Sequence, residues 1–239
     1  MRYHFQERTT PLMFVLAFAI SAAPAVAPVV ENEQLHYNIN WPSGLSLGEA
    51  QLRASMSKPT PDAASRLHLE FTLDAGVPSY AVSDQYRSEA SPDFCSGEFH
   101  RTTSHGTKKT DEKNIFDQQS GTVNRETSGG GKTELKSTAC GKDALAFLYY
   151  VRHELSQGRM PPQQTIFLGA PYDIRLEFMG TQKIPLGETQ VEADRVTATV
   201  KGPSSEISFE VFFFKDQART PALVRVPLAL GKFTMELVR

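Results

Sequence analysis

The chain has no excess of charge of either sign, and it contains few of the residues that mark common functional sites. Its 239 residues include 25 Lys and Arg, 27 Asp and Glu, two Cys and one Trp. A net charge of −2 provides no basic surface of the kind that binds nucleic acid. Beyond residue 30, no apolar run approaches the roughly 20 residues that a membrane-spanning helix needs.

The first thirty residues have the pattern of a secretory signal peptide. Arg2 and Arg8 precede an uncharged run at residues 11–30, which ends in small side chains. We predict cleavage after Ala25 rather than after Ala27, where the next residue is proline; a retained membrane anchor is the alternative. Cleavage leaves a net charge of −3, and we expect the mature chain to be periplasmic or secreted. That location permits disulfides and excludes ATP-driven and nicotinamide chemistry.

The remaining residues, 26–239, contain no internal repeat or long linker, and we expect one β-rich domain. Apolar and polar residues alternate with period two, as in strands with one buried face. The clearest examples are residues 35–41, 67–73, 174–178, 207–213 and 233–237. The apolar phase slips at Asp194 and Arg195, which predicts a β-bulge there, with a tight turn as the alternative.

One segment departs from the β pattern and predicts a helix. Asp143 is a candidate N-cap for a helix that ends near Gln157, because Gly158 and two prolines follow. Residues 144–151 are apolar on every side, which indicates a buried helix with Arg152 at its exposed end. For its two tyrosines, Tyr149 and Tyr150, core packing with a hydrogen-bonded hydroxyl is the favoured interpretation, and lining a ligand cavity is the alternative. The candidate ligand-lining residues are aromatic: Trp41, Phe147, Tyr149 and Tyr150.

The two cysteines, Cys95 and Cys140, enclose the most polar part of the chain. An even cysteine count in an exported protein favours a disulfide. Residues 96–139 contain few large apolar side chains, so on their own they bury too little surface to offset the entropy of ordering. We therefore predict a Cys95–Cys140 disulfide that closes a polar hairpin region, or flap, at residues 96–139.

Other candidate sites have weak signals. Cys95, Cys140, His100 and His105 could be drawn as a metal site, but their spacing matches no tight zinc signature. The glycines at residues 129–131 precede a lysine, but they lack the spacing and the following helix of a phosphate-binding loop. We therefore expect no catalytic residues, no metal and no cofactor.

Several segments together resemble an exported bacterial family of unknown function, domain of unknown function 3108. They are residues 33–41, residues 143–152 with a Tyr-Tyr-x-Arg ending, and residues 214–216 followed by an arginine, a proline and a glycine. The resemblance implies a mainly antiparallel β fold, curled into a barrel, roll or sandwich around the helix, and it implies no activity. If the family were enzymatic, the candidate residues would be Tyr149, Arg152, Asp216 and Arg219. The structural interpretation makes Asp216 and Arg219 a polar pair in a turn, and Arg152 a cation favoured by the helix dipole.

Two functions compete. The leading hypothesis is a non-catalytic envelope protein that binds a lipid or another apolar small molecule, or assists assembly, because a curled sheet with an apolar helix could enclose such a ligand. The alternative is a module that binds an envelope protein through the flap at residues 96–139; an uncharacterised enzyme is less favoured. An outer-membrane barrel is disfavoured by the mid-chain helix.

Overall fold

The protein is mainly β, as the alternating pattern predicts. A computed structural model describes residues 32–60, 64–77, 79–228 and 231–238. The predicted signal peptide lies outside these residues. The elements are β1 (Glu33–Asn40), β2 (Ser46–Met56), β3 (Leu67–Val77), β4 (Tyr80–Ala90), β5 (Ser96–His105), β6 (Lys108–Asp117), β7 (Thr122–Thr127), β8 (Lys132–Lys136), β9 (Lys142–Asp143), α1 (Ala144–Ser156), β10 (Gln164–Leu168), β11 (Ala170–Leu186), β12 (Thr189–Lys201), β13 (Glu206–Phe214), β14 (Pro221–Leu228) and β15 (Gly231–Leu237).

The described strands form one sheet of fifteen strands in the order β8-β7-β6-β5-β4-β3-β2-β1-β15-β14-β13-β12-β11-β10-β9. Neighbours are antiparallel except β9 and β10, which are parallel. The first strand pairs with the last, with Tyr37 opposite Leu237. Each half of the chain therefore extends as a series of strands from this central pair, and among the described residues β8 and β9 are the two edges.

The sheet is curled, so that β5 and β6 lie near the β10–β11 corner. Side-chain hydrogen bonds rather than a backbone ladder connect them. Asn114 Nδ2 donates to the carbonyl of Gly169 at 3.0 Å. Arg101 Nη1 donates to the carbonyl of Leu168 at 3.2 Å. Because Arg101 and Asn114 belong to β5 and β6, these contacts hold them against the β10–β11 corner. We call this line of contacts the seam.

Period-two burial follows the sequence pattern closely in β1. Tyr37 and Ile39 are buried, whereas His36 and Asn38 are exposed. In β3, Leu67 and Leu69 are buried in the same way. Since strand side chains alternate between the two faces, the apolar sets line the concave side of the curled sheet.

The helix lies against this concave side. Asp143 is its N-cap, as predicted, and its carboxylate accepts from the backbone N–H groups of Leu145 at 2.8 Å and Ala146 at 3.0 Å. The helix ends before Gly158, which has the left-handed backbone conformation (φ +71°) common after helix ends. Every residue of α1 is buried or half-buried, so the helix fills part of the barrel rather than covering its surface.

The expected bulge lies one strand away from its predicted position. β12 is continuous through Asp194 and Arg195, which excludes a tight turn there. The register shift lies instead in β11 between Phe178 and Thr181, where the extra residues face Arg195 of β12. The slip in the apolar phase of β12 therefore coincides with a bulge in its neighbour, β11. The residue pattern of one strand does not show which of two paired strands carries the bulge.

Residues 96–139 are not a separate flap. They form β5 to β8, which continue the sheet, and they place Phe99, Asn114 and Val123 in fully buried positions. Deleting this region would therefore remove part of the core. The sequence pattern predicted only a polar hairpin region here, because the inner face of these strands carries charged and amide side chains among its apolar ones.

Candidate functional site

A cavity of about 410 Å³ lies between α1 and the concave face of the sheet. Both halves of the sheet and the helix contribute to its wall. Apart from the hydroxyls of Tyr37 and Tyr172, its lining side chains are apolar. The wall includes Leu52, Phe71, Leu148, Leu168, Leu176, Ala198, Phe209 and Val211.

The Tyr37 hydroxyl on the cavity wall already has a protein partner. The Tyr37 hydroxyl donates to the carbonyl of Pro221 at 3.0 Å. Burial raises the pKa of Tyr37, and the nearby charge of Glu33 acts in the same direction against that of Arg152. The Tyr37 hydroxyl is therefore neutral and engaged, and the cavity wall beside it is suited to an apolar ligand.

A buried ion pair joins the last turns of α1 to the start of β1. Arg152 binds the Glu33 carboxylate through two contacts of 2.6 and 2.7 Å, and the Tyr149 hydroxyl donates to the same carboxylate at 2.7 Å. Burial alone would raise the pKa of Glu33, but the hydrogen bonds and charge of Arg152 outweigh it and lower the pKa. This arrangement holds the helix against the sheet.

Arg152 is not at an exposed helix end as predicted, and only some of the predicted ligand-lining residues of α1 reach the cavity. Arg152 is only 4% exposed and does not lie at a solvated helix end, because α1 packs inside the curl and its last turns face β1. Phe147 lines the cavity. Tyr149 faces Glu33 instead, and Tyr150 lies under the Lys142 ammonium group.

Trp41 and the predicted turn pair also lie away from the cavity wall. Trp41 packs edge-on against Phe233, with ring centroids 4.8 Å apart. The side chains of Asp216 and Arg219 do not bind each other as predicted. The Asp216 carboxylate accepts hydrogen bonds from the backbone N–H and the hydroxyl of Thr220. Arg219 instead binds Asp194 at 2.6 Å, because β12 pairs with the strand that leads into this turn.

The predicted disulfide is present between Cys95 and Cys140, whose Cα atoms are 4.6 Å apart. It joins the β4–β5 connection to the segment just before α1. The adjacent Ser96 hydroxyl donates to the Asp143 carboxylate at 2.6 Å, as does that of Ser88. Burial raises the pKa of Asp143, although these bonds and two backbone N–H groups favour its charged form. The cap and the disulfide therefore lie together at the start of α1.

The histidines considered as metal ligands have other partners. His100 lies 3.2 Å from Asp111, and His105 lies 2.7 Å from Asp84. Within the described ranges, no group of three His, Cys, Asp or Glu side chains is placed to hold a metal ion. The helices of that same part of the chain are too short or too polar to cross a membrane.

Residues 44–48 spell Gly-x-Ser-x-Gly, the pattern of a hydrolase nucleophile elbow. Such an elbow places its serine between a strand and a helix. Here Ser46 is exposed and begins β2 within the β1–β2 hairpin. The local structure therefore does not match the motif.

A charged cluster that the sequence patterns did not predict lies on the inner face of β5 to β7. Glu112 binds Arg101 at 3.1 Å and Arg125 through its other carboxylate oxygen. Asn114, which is completely buried, lies one inward position along β6. Residues 112, 114 and 116 point to the same face of β6, but two of the three are polar. A pattern of alternating apolar residues therefore does not identify this face as an inner one.

The fold and its central cavity define a curled, barrel-like antiparallel β protein with an internal helix. The chain belongs to the family described as "Protein of unknown function (DUF3108)", whose profile matches residues 34–238. This confirms the resemblance noted in the sequence.

Two solved structures align with this chain at low sequence identity, and the first of them shares its fold. One is a beta-barrel-like protein of domain of unknown function DUF1849 from Brucella abortus, with a TM-score of 0.58, 12% identity, and coverage of 88% of this chain and 97% of that one. The other is a putative exported protein with a YmcC-like fold from Bacteroides fragilis, with a TM-score of 0.38, 11% identity, and coverage of 87% and 95%. No curated protein matches the sequence significantly.

Proposed function

We propose that this protein is an exported, non-catalytic binding protein that holds an apolar ligand in the cavity between α1 and the sheet. The observation that carries the proposal is the cavity itself. Its volume of about 410 Å³ lies in the range of ligand-binding cavities, about 300–1,000 Å³. A wall of leucine, valine and phenylalanine side chains gains free energy when an alkyl chain replaces water there, at roughly 25 cal/mol per Å² of apolar surface buried.

The non-catalytic part of the proposal is supported by how the buried polar groups are used. Asp143 with Ser88 and Ser96 is the arrangement that most resembles a catalytic constellation. Its carboxylate, however, caps α1 and is completely buried. The Glu33 carboxylate is likewise held by Arg152 and Tyr149. Each of these carboxylates is engaged by groups of the protein itself and stabilises the fold through them.

Filling the cavity is expected to weaken binding. Ala198 is a small residue on the cavity wall, directly between Leu176 and Phe209 in the sheet. In Ala198→Phe the added ring occupies space that the ligand needs. We expect at least a tenfold weaker dissociation constant for the neutral apolar dye N-phenyl-1-naphthylamine, measured by its fluorescence increase on binding.

The matched control is Thr199→Phe, one residue further along β12 and on the opposite face of the sheet. It introduces the same ring outside the cavity and should bind the dye as the wild type does. If the wild type does not bind the dye, or if Ala198→Phe binds it equally well, the cavity is not a binding site and the proposal is wrong.

A further inference from the structure

One row of directly paired residues crosses from the cavity wall into the charged cluster. Leu52 pairs with Phe71, and Phe71 pairs with Tyr86. Tyr86 then pairs with Arg101, and Arg101 with Glu112. Directly opposite residues in an antiparallel sheet point to the same face, so all five side chains lie on the concave side. The wall therefore changes along this row from aliphatic and aromatic groups to a phenol and then to charges.

Two contacts place Arg101 next to the cavity. Its Nη1 donates to the backbone carbonyl of Leu168, whose side chain lines the cavity. The ring of Tyr86, its neighbour in the row, lies with its centroid 5.7 Å from that of Phe71, another lining residue. Arg101 is thus one side chain away from the apolar wall on both sides.

Several hydrogen-bonding atoms of the charged cluster have no hydrogen-bond partner in the protein. Among the described residues, five buried side-chain nitrogen or oxygen atoms lack a hydrogen-bond partner, and four of them belong to this cluster. One of the four, Glu112 Oε2, lies 3.1 Å from Arg101 in an ion pair, so three are left without a partner of either kind. They are the Nε atoms of Arg101 and Arg125 and the amide oxygen of Asn114. Leaving the two Nε donors unpaired is costly, so Arg101 and Arg125 favour a ligand that supplies acceptor atoms. The Asn114 oxygen is an acceptor and does not add to this preference.

The charge balance of the cluster favours an anion. Two guanidinium groups face one carboxylate, Glu112, whose side chain is only 7% exposed. The next carboxylate on this face, Asp84, is engaged by His105 at 2.7 Å and by the Tyr86 hydroxyl at 3.1 Å. Guanidinium groups bind carboxylate and phosphate oxygens with favourable, often bidentate, geometry.

We infer that the ligand is a single-chain amphiphile with an anionic head group, whose tail occupies the cavity and whose carboxylate or phosphate oxygens bind Arg101 and Arg125. This inference rests on the proposed function, because it requires the cavity to hold an alkyl chain. It adds the chemical class of the ligand: a fatty acid or a monoacyl phosphate rather than a neutral lipid.

The test compares three ligands with the same twelve-carbon tail. Dodecanoate, dodecyl phosphate and dodecanol are titrated against the wild-type protein loaded with N-phenyl-1-naphthylamine, and displacement of the dye is measured. We expect at least one of the two anions to bind tenfold or more tightly than the alcohol. The stronger of the two identifies the head group as carboxylate or phosphate.

Substitution of the arginine provides the second arm. Arg101→Gln should weaken binding of the preferred anion at least tenfold and bring the anion-to-alcohol ratio close to one. The control is Arg53→Gln, on the outer face of β2 and 52% exposed, which should keep the wild-type ratio. Thermal unfolding of both variants checks the fold, and the wild-type ratio alone still decides the question if Arg101→Gln does not fold.

The outcomes separate the two levels of the proposal. If the dye binds and dodecanol displaces it as well as both anions do, the inference about the head group is wrong and the cavity proposal stands. If the wild type binds neither dye nor any of the three ligands, the proposed function itself is wrong.

Discussion

Arg152→Ala is expected to lower the free energy of unfolding by about 3–5 kcal/mol, the usual cost of removing one partner of a buried ion pair. The substitution leaves the Glu33 carboxylate, 14% exposed, without its cationic partner. It also removes the bond from Arg152 Nε to the Ala218 carbonyl and the contact of the guanidinium with the Tyr149 ring. Urea unfolding followed by circular dichroism at neutral pH measures the loss.

The pH dependence distinguishes the ion pair from simple loss of packing. Because the pKa of Glu33 is lowered in the folded state, its stabilising contribution is present above the pKa of the unfolded chain. That contribution is lost as the pH falls through the lowered folded value. The stability difference between wild type and Arg152→Ala should therefore shrink at acidic pH.

The control for Arg152→Ala is Arg159→Ala, three residues past the C-terminal end of the same helix. Arg159 is 58% exposed in its pair with Glu154, and exposed pairs of this kind contribute little. We expect no measurable change in stability. If both variants behave alike, or if the loss in Arg152→Ala does not vary with pH, Glu33 and Arg152 do not stabilise the fold as an ion pair.

Removal of the disulfide in the double variant Cys95→Ala, Cys140→Ala is expected to cost about 4 kcal/mol, from the loop-closure entropy that a 45-residue separation restores to the unfolded chain. The bond joins the β4–β5 connection to the segment just before α1, so its loss acts on the residues that position the helix. Thermal unfolding without reductant measures the difference from the wild type.

The reducing agent itself is the control for this prediction. Dithiothreitol should lower the unfolding temperature of the wild type toward that of the double variant, and it should leave the double variant unchanged. An unfolding temperature of the wild type that does not respond to complete reduction would show that the bond contributes nothing to stability.

The sequence predicts correctly the features that depend on local chemistry. Asp143 is an N-cap because a carboxylate next to an apolar helical run can accept the first backbone N–H groups. The strands β1 and β3 follow from strict alternation, which requires only that one face be buried. The Cys95–Cys140 bond follows because the chain offers each cysteine a single possible partner.

Other features depend on contacts between residues far apart in sequence. Arg152 and Glu33 are 119 positions apart, so nothing near either residue indicates that they pair. Arg219 likewise binds Asp194 of β12 and not the nearby Asp216. The pairing of β12 with β13 brings Asp194 close to the turn that contains Arg219. A local pattern assigns such polar groups to solvent or to their nearest neighbours.

The amino-acid sequence by itself determined the mainly β architecture, the capped helix and the disulfide, since each depends on periodicity, capping or cysteine count within short segments or pairs. Only the tertiary structure decided that the helix leaves an open volume beside it, and that the row from Leu52 to Glu112 leads from that volume to two arginines. The physical reason is that a cavity is a property of how packed surfaces fit together. The same alternating residues can form either a filled core or a hollow one.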